Sequence, residues 1–495
     1  MLAAVAGLTQ LDETTCAGFR ARLAAAGYDG GYLATLENIA GNMLQAARDP
    51  LLRSHLARHA GPAATLAALF CYSYGAPAAD AREALGATLA DALEAAGVIH
   101  TSGGATISPF LLIPLDGQWF LSDRLDAGAD AVMGPGMTTL LMHRWLAAFP
   151  CERTLDLGCG AASLAIAAAA RGARATATDV TDRALAMAAF NARLNAVAIT
   201  TAISDVGAAL PRGAFDLVLA QPPYVACPEP GGASTYLHGG RYGDELAMRF
   251  VTDSAALLAP GGTALLFFDS AVRANDPLPP RLRAALGSAP VAMLALMLPG
   301  ASLDAHAVMT ASSHHPALGD DFARSAAAYR EHFESLGVTA ISRVILVLRR
   351  PGEGSANALY RVALQMPGAA HPNPDQLAAL VGALDLAALP DDLLLLERVR
   401  AVPGAHFVGE WDDPGENAPA RLKMTLPEGS FATSRELGDR GWLMFGLLDG
   451  ARTVGETVPL YAAECGTPPD QALAEVLGFV REGLARGLLC EAAPV

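Results

Sequence analysis

Thr154-Leu-Asp-Leu-Gly-Cys-Gly-Ala-Ala-Ser163 is the stretch on which the fold turns. An apolar run ends in Asp156, and Gly158 and Gly160 then turn the chain into the Ala-rich segment 161–171, which reads as a helix. Glycine at those positions lets backbone N–H groups approach a ligand that a Cβ would hold off. Further strand-like runs lie at 174–178, 199–203, 215–220, 263–268, 291–298 and 341–348, alternating with helical stretches at 182–195 and 244–258. Alternation of this kind predicts an α/β fold: a doubly wound, seven-stranded, mostly parallel sheet with helices on both faces. Ligands of such sheets bind at the carboxyl ends of the strands.

Three successive strand ends supply polar groups suited to a nucleoside. Asp156 closes the first. Asp179, followed by Val180, closes the second about 20 residues beyond the glycine turn, where an acid suits the two hydroxyls of a ribose. Ser204 and Asp205 follow the third, placed to accept from an exocyclic adenine amine. A nicotinamide dinucleotide would use the same acid on ribose, but its glycine fingerprint is broken here by Ala162 and Ser163. Asp156 beside the turn would repel a pyrophosphate and suits a cationic amino-acid tail instead. The motif resembles that of class I S-adenosylmethionine (SAM)-dependent methyltransferases. That resemblance implies a Rossmann-like domain that binds SAM through Asp156, Gly158, Cys159, Gly160, Asp179, Val180 and Asp205, and releases S-adenosylhomocysteine.

The fourth strand, Phe215-Asp-Leu-Val-Leu-Ala-Gln-Pro-Pro-Tyr-Val225, runs out into Gln221, Pro222, Pro223 and Tyr224. It resembles the (Asn/Asp/Ser)-Pro-Pro-(Tyr/Phe) signature of methyltransferases acting on planar nitrogens, including release-factor glutamine methyltransferases. The prolines fix the backbone so that a carbonyl and the preceding polar side chain can accept hydrogen bonds from an N–H₂ group. Tyr224 offers a ring face to a flat substrate or to a sulfonium. Gln221 departs from the family's Asn, Asp or Ser. Its extra methylene moves the acceptor atom by over an ångström, a shift worth ~100-fold in rate on an unchanged substrate. Either the pocket has shifted or the methyl acceptor differs from adenine or a glutamine amide.

The resemblance extends to both sides. Val132-Met-Gly-Pro-Gly-Met-Thr-Thr-Leu-Leu141 is similar to the segment that closes over SAM, with Thr138 and Thr139 near the methionine part. Tyr236-Leu-His-Gly-Gly-Arg-Tyr-Gly-Asp-Glu245 is similar to a loop of bacterial methyltransferases with a winged-helix-like N-terminal extension. Residues 225–243 read as a mobile lid. Tyr236, His238, Arg241, Tyr242 and Glu245 are its candidate substrate contacts, with His238 or Glu245 as proton acceptor against the plainer readings of a solvated histidine and a helix-start acid. His306, His314 and His315 lack a carboxylate or thiol at close spacing, so no metal is expected.

Composition bounds the rest. At 495 residues, 52 % of them hydrophobic, the chain is long enough for about three domains. The expected division is 1–130, helical and winged-helix-like; 131–350, the methyltransferase domain; and 351–495, an α+β domain with a winged-helix-like end. In the first, helices at 64–72 and 79–96 flank a break at Gly75, Ala76 and Pro77, and short strands follow. Arg82 is the lone cation of 79–100, too little charge for a helix that reads DNA. Acids outnumber bases 50 to 34, a net charge of −16, which argues against nucleic acid as the main partner. The seven cysteines are scattered and form no Cys-x-x-Cys. The N-terminus makes a poor signal peptide and no run is long enough to span a bilayer, so no membrane partner is expected and the location is expected to be cytoplasmic. The acceptor is expected to be a nitrogen of a small amino-acid-like metabolite or of a peptide or protein. An RNA base, or a SAM-binding scaffold without transfer activity, are the alternatives.

Overall fold

The computed structural model describes residues 4–492 except 42, 44, 125–126, 229–234, 316–317, 353–358, 367, 369–370, 413–420 and 427–434. Its centre is a sheet whose inner strands are buried on both faces, as strands covered by helices must be. In chain order the strands are β1 (Arg153–Leu157), β2 (Arg174–Asp179), β3 (Thr200–Ile203), β4 (Phe215–Ala220), β5 (Leu258–Arg273), β6 (Ala292–Met297), β7 (Val338–Arg349) and β8 (Arg361–Gln365). They lie in the order β8-β6-β7-β5-β4-β1-β2-β3. All neighbours run parallel except β7, which is antiparallel to both β5 and β6. The sheet thus has eight strands rather than the expected seven. The eighth, β8, comes from beyond residue 350 and adds to the edge through Met293–Met297 of β6.

The chain winds outward from β1 to β3, then crosses back to start β4 on the other side of β1. A crevice opens where the winding reverses, between the carboxyl ends of β1 and β4. Helices α1 (Met137–Trp145), α2 (Ser163–Ala170), α3 (Asp182–Leu194), α4 (Glu245–Leu257), α5 (Leu278–Leu286), α6 (Leu303–His314), α7 (Asp320–Ser335) and α8 (Pro374–Ala387) accompany the sheet. Helices α1 and α8 cover one face, packing Met142, Trp145, Leu377 and Leu380 on Leu217, Leu219, Leu265 and Phe267. Helices α4 and α5 cover the other, with Phe250, Val251 and Leu282 on Val218, Leu266 and Phe268.

The N-terminal block does not stand apart. Its expected helix 64–72 is a short α-helix, Pro62–Leu66, running into a π turn, Ala67–Cys71. The expected helix 79–96 is broken at Gly86 into Ala78–Leu85 and Ala87–Ala95. Strands Ala76–Pro77, His100–Ser102 and Ala105–Ile107 form one small sheet, and Phe110–Leu115 with Gln118–Asp123 form a separate hairpin. Two asparagines of the α3 region fasten that hairpin. Asn191 accepts from the Leu121 N–H at 2.8 Å and donates to the Leu121 carbonyl at 2.9 Å. Asn195 does the same for Trp119, at 2.9 and 2.7 Å. Asp123, at the hairpin's end, pairs with Arg183 and accepts from the Val132 N–H at 2.8 Å, so the hairpin also carries the segment that overhangs the crevice. The C-terminal block has its own core, in which Tyr461, Val476, Val480 and Leu484 meet Leu394 and Val399.

One buried ion cluster ties the crevice's far wall together. Asp244, wholly buried at the start of α4, accepts from Arg273 at 2.6 Å, Arg281 at 2.8 Å and the Ser270 hydroxyl at 2.5 Å. It thereby joins β5 and α5 to the loop entering α4. Replacing Asp244 with Ala leaves two largely buried guanidinium groups with only the half-exposed Asp276 to share. It is expected to cost about 3–5 kcal/mol, read as a lower urea midpoint at unchanged slope.

Candidate functional site

A cavity of about 250 Å³ occupies the crevice, and the motifs read from sequence converge on it. Asp156, Gly158, Cys159, Gly160, Asp179, Val180 and Asp205 line one side. Gln221, Pro222, Pro223 and Tyr224 line the other, with Thr138, Thr139 and Tyr236 between them. His238, Arg241, Tyr242 and Glu245 lie outside that lining.

The glycine turn is shaped by the carboxylates around it. Gly158 has φ +72°, and a Cβ there would sit 3.1 Å from the Phe250 ring, so the turn fits closely over α4. The Gly160 N–H donates to Asp179 at 3.0 Å, and the Thr181 N–H donates to the other Asp179 oxygen at 3.2 Å. Asp179 therefore holds the turn and the start of the following loop from one strand end. Asp156 accepts from the Ala165 N–H at 3.0 Å, inside the first turn of α2. Burial pushes its carboxyl up to about 7, the Ala165 hydrogen bond draws it back, and the nearby Asp179 charge adds to the rise. Asp205 lines the rim, but its exposed carboxylate pairs with Arg249 at 2.9 Å.

On the opposite wall, the Gln221 side-chain oxygen accepts from the Thr139 hydroxyl at 2.9 Å. Thr139 stands in the first turn of α1, so this bond joins the overhanging segment to the first residue of the Pro-Pro turn. Tyr224 is largely buried. Desolvation and the neighbouring Asp269 raise its phenol to about 12, offset in part by Arg343, so at neutral pH it is a neutral ring.

The stretch read as a mobile lid is described at 225–228 and 235–243, and there it is packed onto the Pro-Pro turn. Residues Val225–Ala226 pair in parallel with His238–Gly240. A Cβ on Gly239 would fall 2.3 Å from the Pro223 carbonyl oxygen, and one on Gly243 2.5 Å from the Tyr224 carbonyl oxygen. Only glycine permits that approach. The lid candidates serve the brace: the His238 ring lies 3.2 Å from the Tyr329 hydroxyl, and the Arg241 carbonyl meets His332 at 2.7 Å. The Tyr242 ring stacks under the Arg273 guanidinium at 3.8 Å, and Glu245 accepts from the Tyr242 N–H at 2.9 Å. Residues 229–234 of the expected lid lie outside the described residues.

Sequence reading did not single out Phe250, Leu246 or Thr181, all of which line the cavity. Phe250 carries no local signal beyond its place on the apolar side of α4. Among the described residues no group of three or more His, Cys, Asp or Glu is arranged to hold a metal ion.

Residues 120–292 match the family described as "Methyltransferase small domain", so this stretch is a domain of methyltransferase type. A release factor glutamine methyltransferase of Deinococcus radiodurans is 32% identical over 159 residues, which cover 30% of this chain and 57% of that protein. A ribosomal protein L11 methyltransferase of Ralstonia pickettii is 41% identical over 99 residues, 19% of this chain and 32% of that protein. The chain thus spans between a third and three-fifths of the curated relatives it matches. Among solved structures, a methyltransferase from Pyrococcus furiosus is 16% identical, covering 45% of this chain and 88% of its own, with a TM-score of 0.27.

The raised Asp156 carboxyl gives a pH test. A group whose folded pKa lies above its unfolded value favours the fold most below the unfolded pKa, here 3.8, and that contribution is lost as pH rises through about 7. Replacing Asp156 with Asn is expected to remove this loss, so that the variant's unfolding free energy falls less than the wild type's across that window. Denaturant titrations at successive pH values read the difference.

Proposed function

We propose that the chain is a SAM-dependent methyltransferase that transfers the methyl to a nitrogen of a small amino-acid-like metabolite or of a peptide or protein side chain. The observation that carries this reading is the meeting, in one cavity, of the Gly158–Gly160 turn with Asp179 and the Gln221-Pro222-Pro223-Tyr224 turn. The residues present suit SAM. Asp179 offers carboxylate oxygens at the second strand end, where ribose hydroxyls would donate, and Asp156 offers a carboxylate toward a cationic amine. The glycine turn leaves no Cβ between them and the cavity.

When bound there, SAM supplies a methyl carbon on a sulfonium, open to in-line attack by nitrogen. The chain's own part is positioning. The Gln221 oxygen and a proline-fixed carbonyl accept hydrogen bonds from the attacking N–H₂ and so aim its lone pair. The glycine brace and the Thr139 bond hold these acceptors in place. Alignment of this kind supplies roughly 7–11 kcal/mol of barrier lowering. An acceptor nitrogen held in this way would give up a proton to solvent on taking the methyl, and no side chain of the cavity is needed to remove it. Neutral Tyr224 walls the acceptor without competing as a nucleophile.

The relatives are named for methylation of a release factor and of a ribosomal protein, which supports a protein or peptide as one acceptor class. The charge of −16 supports placing RNA behind both. The strand and helix order of residues 62–107 supports a winged-helix-like reading of the N-terminal extension, and the helices Asp439–Leu447, Val454–Cys465 and Pro469–Ala485 support one at the C-terminus. Among the described residues no helix is long and apolar enough to cross a membrane.

Methyl-labelled SAM, incubated with the protein and a bacterial extract separated into small-molecule, protein and RNA pools, tests the reading. Label is expected in the small-molecule or protein pool, and Gln221→Ala is expected to lower it by about 100-fold. Label confined to RNA would overturn the acceptor class. Absence of label from every pool, with SAM bound, would favour a scaffold.

A further inference from the structure

Resting on the methyltransferase reading, a second group of residues, outside the lining of that cavity but next to Tyr224 of its wall, bears on what the acceptor carries. Leu217 and Leu219 face the α1 side of the sheet, and so do Leu265 and Phe267 on β5 and Ile345 and Val347 on β7. Strand alternation puts Gln221, Asp269 and Arg343 on that same side, at the carboxyl end of β4 and β5. The Gln221 bond to Thr139 of α1 agrees with this placement. Asp269 and Arg343 are paired in register across β5 and β7.

Arg343 is held and yet incompletely used. Its Nε donates to Asp269 at 3.0 Å, and its guanidinium lies 5.5 Å from the Phe267 ring centroid. Asp269 is 7% exposed at its side chain whereas Arg343 is 37% exposed. Among the described residues, the two terminal nitrogens of Arg343 meet no hydrogen-bond acceptor. His371 stacks on the other partner of this arrangement, the Phe267 ring, at 6.2 Å. Its Nε2 is buried without a hydrogen-bond partner. Tyr224 of the Pro-Pro turn and His306 of α6 also feel the charges of Asp269 and Arg343. A guanidinium anchored through its Nε, with its terminal donors open, matches a carboxylate. His371, partly buried over the same Phe267 ring, has a ring nitrogen without a partner, a cost in the free protein that a ligand would relieve.

We propose that Arg343, oriented by Asp269 and assisted by His371, forms a subsite for a free carboxylate of the methyl acceptor. Asp269 is a positioning residue here. Two strand spacings, roughly 10 Å, separate the β4 and β7 backbones. The Arg343 side chain shortens the gap, so the acceptor is a small amino-acid-like acid whose reacting nitrogen and carboxylate lie a few bonds apart.

The test uses the small-molecule pool of the extract, untreated and after its carboxyl groups have been converted to amides, with methyl-labelled SAM and full-length protein. The wild type is expected to label the untreated pool at least 10-fold more than the amidated one. Arg343→Met is expected to lower transfer to the untreated pool by about 30-fold or more, while calorimetry shows SAM affinity unchanged. His371→Phe keeps the ring stack and so guards against a folding defect; it is expected to raise KM for the untreated pool several-fold with little change in kcat. Equal labelling of the amidated pool, or full activity of both variants, overturns the carboxylate subsite and leaves the methyltransferase reading intact. Label only in the protein pool also overturns it. No transfer to any pool by the wild type overturns both.

Discussion

The Gln221–Tyr224 turn can present its acceptors to a ligand only while its own carbonyls are backed by something narrower than a side chain. Gly239 and Gly243 provide that backing, with their α-carbons pressed toward the Pro223 and Tyr224 carbonyls at distances that exclude a Cβ. The brace in turn depends on α4 starting where it does. Asp244 fixes that start by its bonds to Arg273, Arg281 and Ser270, and the neighbouring Glu245 caps the Tyr242 N–H. Buried charge at the helix start, glycine in the loop and proline in the turn therefore form one mechanical unit. Its cost in desolvation is met by full pairing of Asp244, and its return is a preorganised wall for the cavity.

A second chain of contacts reaches the same cavity from the N-terminal side. Asn191 and Asn195 hold the hairpin Phe110–Leu115/Gln118–Asp123 by its backbone. Asp123 passes the constraint to Val132, and the following residues lead to Thr139 and its bond with Gln221. The longer side chain at the first motif position thus has a partner of its own. A shorter Asn, Asp or Ser at position 221 would not reach Thr139 in the same backbone position, which gives the departure from the family signature a structural meaning.

The parts of this arrangement that were legible in the sequence are those written locally. Glycine and proline restrict the backbone within a few residues, so the Gly158–Gly160 turn and the Pro222-Pro223 turn were readable, as were the strands feeding them. The strand end at Asp179 followed from spacing alone. What escaped was set by distant partners. Arg361–Gln365 is a half-buried edge strand beyond a turn-rich seam, without a pattern of its own, and only β6 makes it a strand. His238, Arg241, Tyr242 and Glu245 have the composition of a substrate loop, but Tyr329, His332 and Arg273, some 30 to 90 residues away, turn them into a brace. Asp205 was placed correctly at the third strand end, and its pairing with Arg249 was invisible from its neighbours.

The central claim is that a nucleoside-bearing cofactor sits where Asp179 holds the glycine turn. Calorimetry of SAM with the wild type and with Asp179→Ala tests it most directly. The account requires saturable binding to the wild type and its loss, by at least about 100-fold in affinity, in a variant that melts cooperatively. Equal affinity in the two proteins would place the cofactor elsewhere and contradict the site.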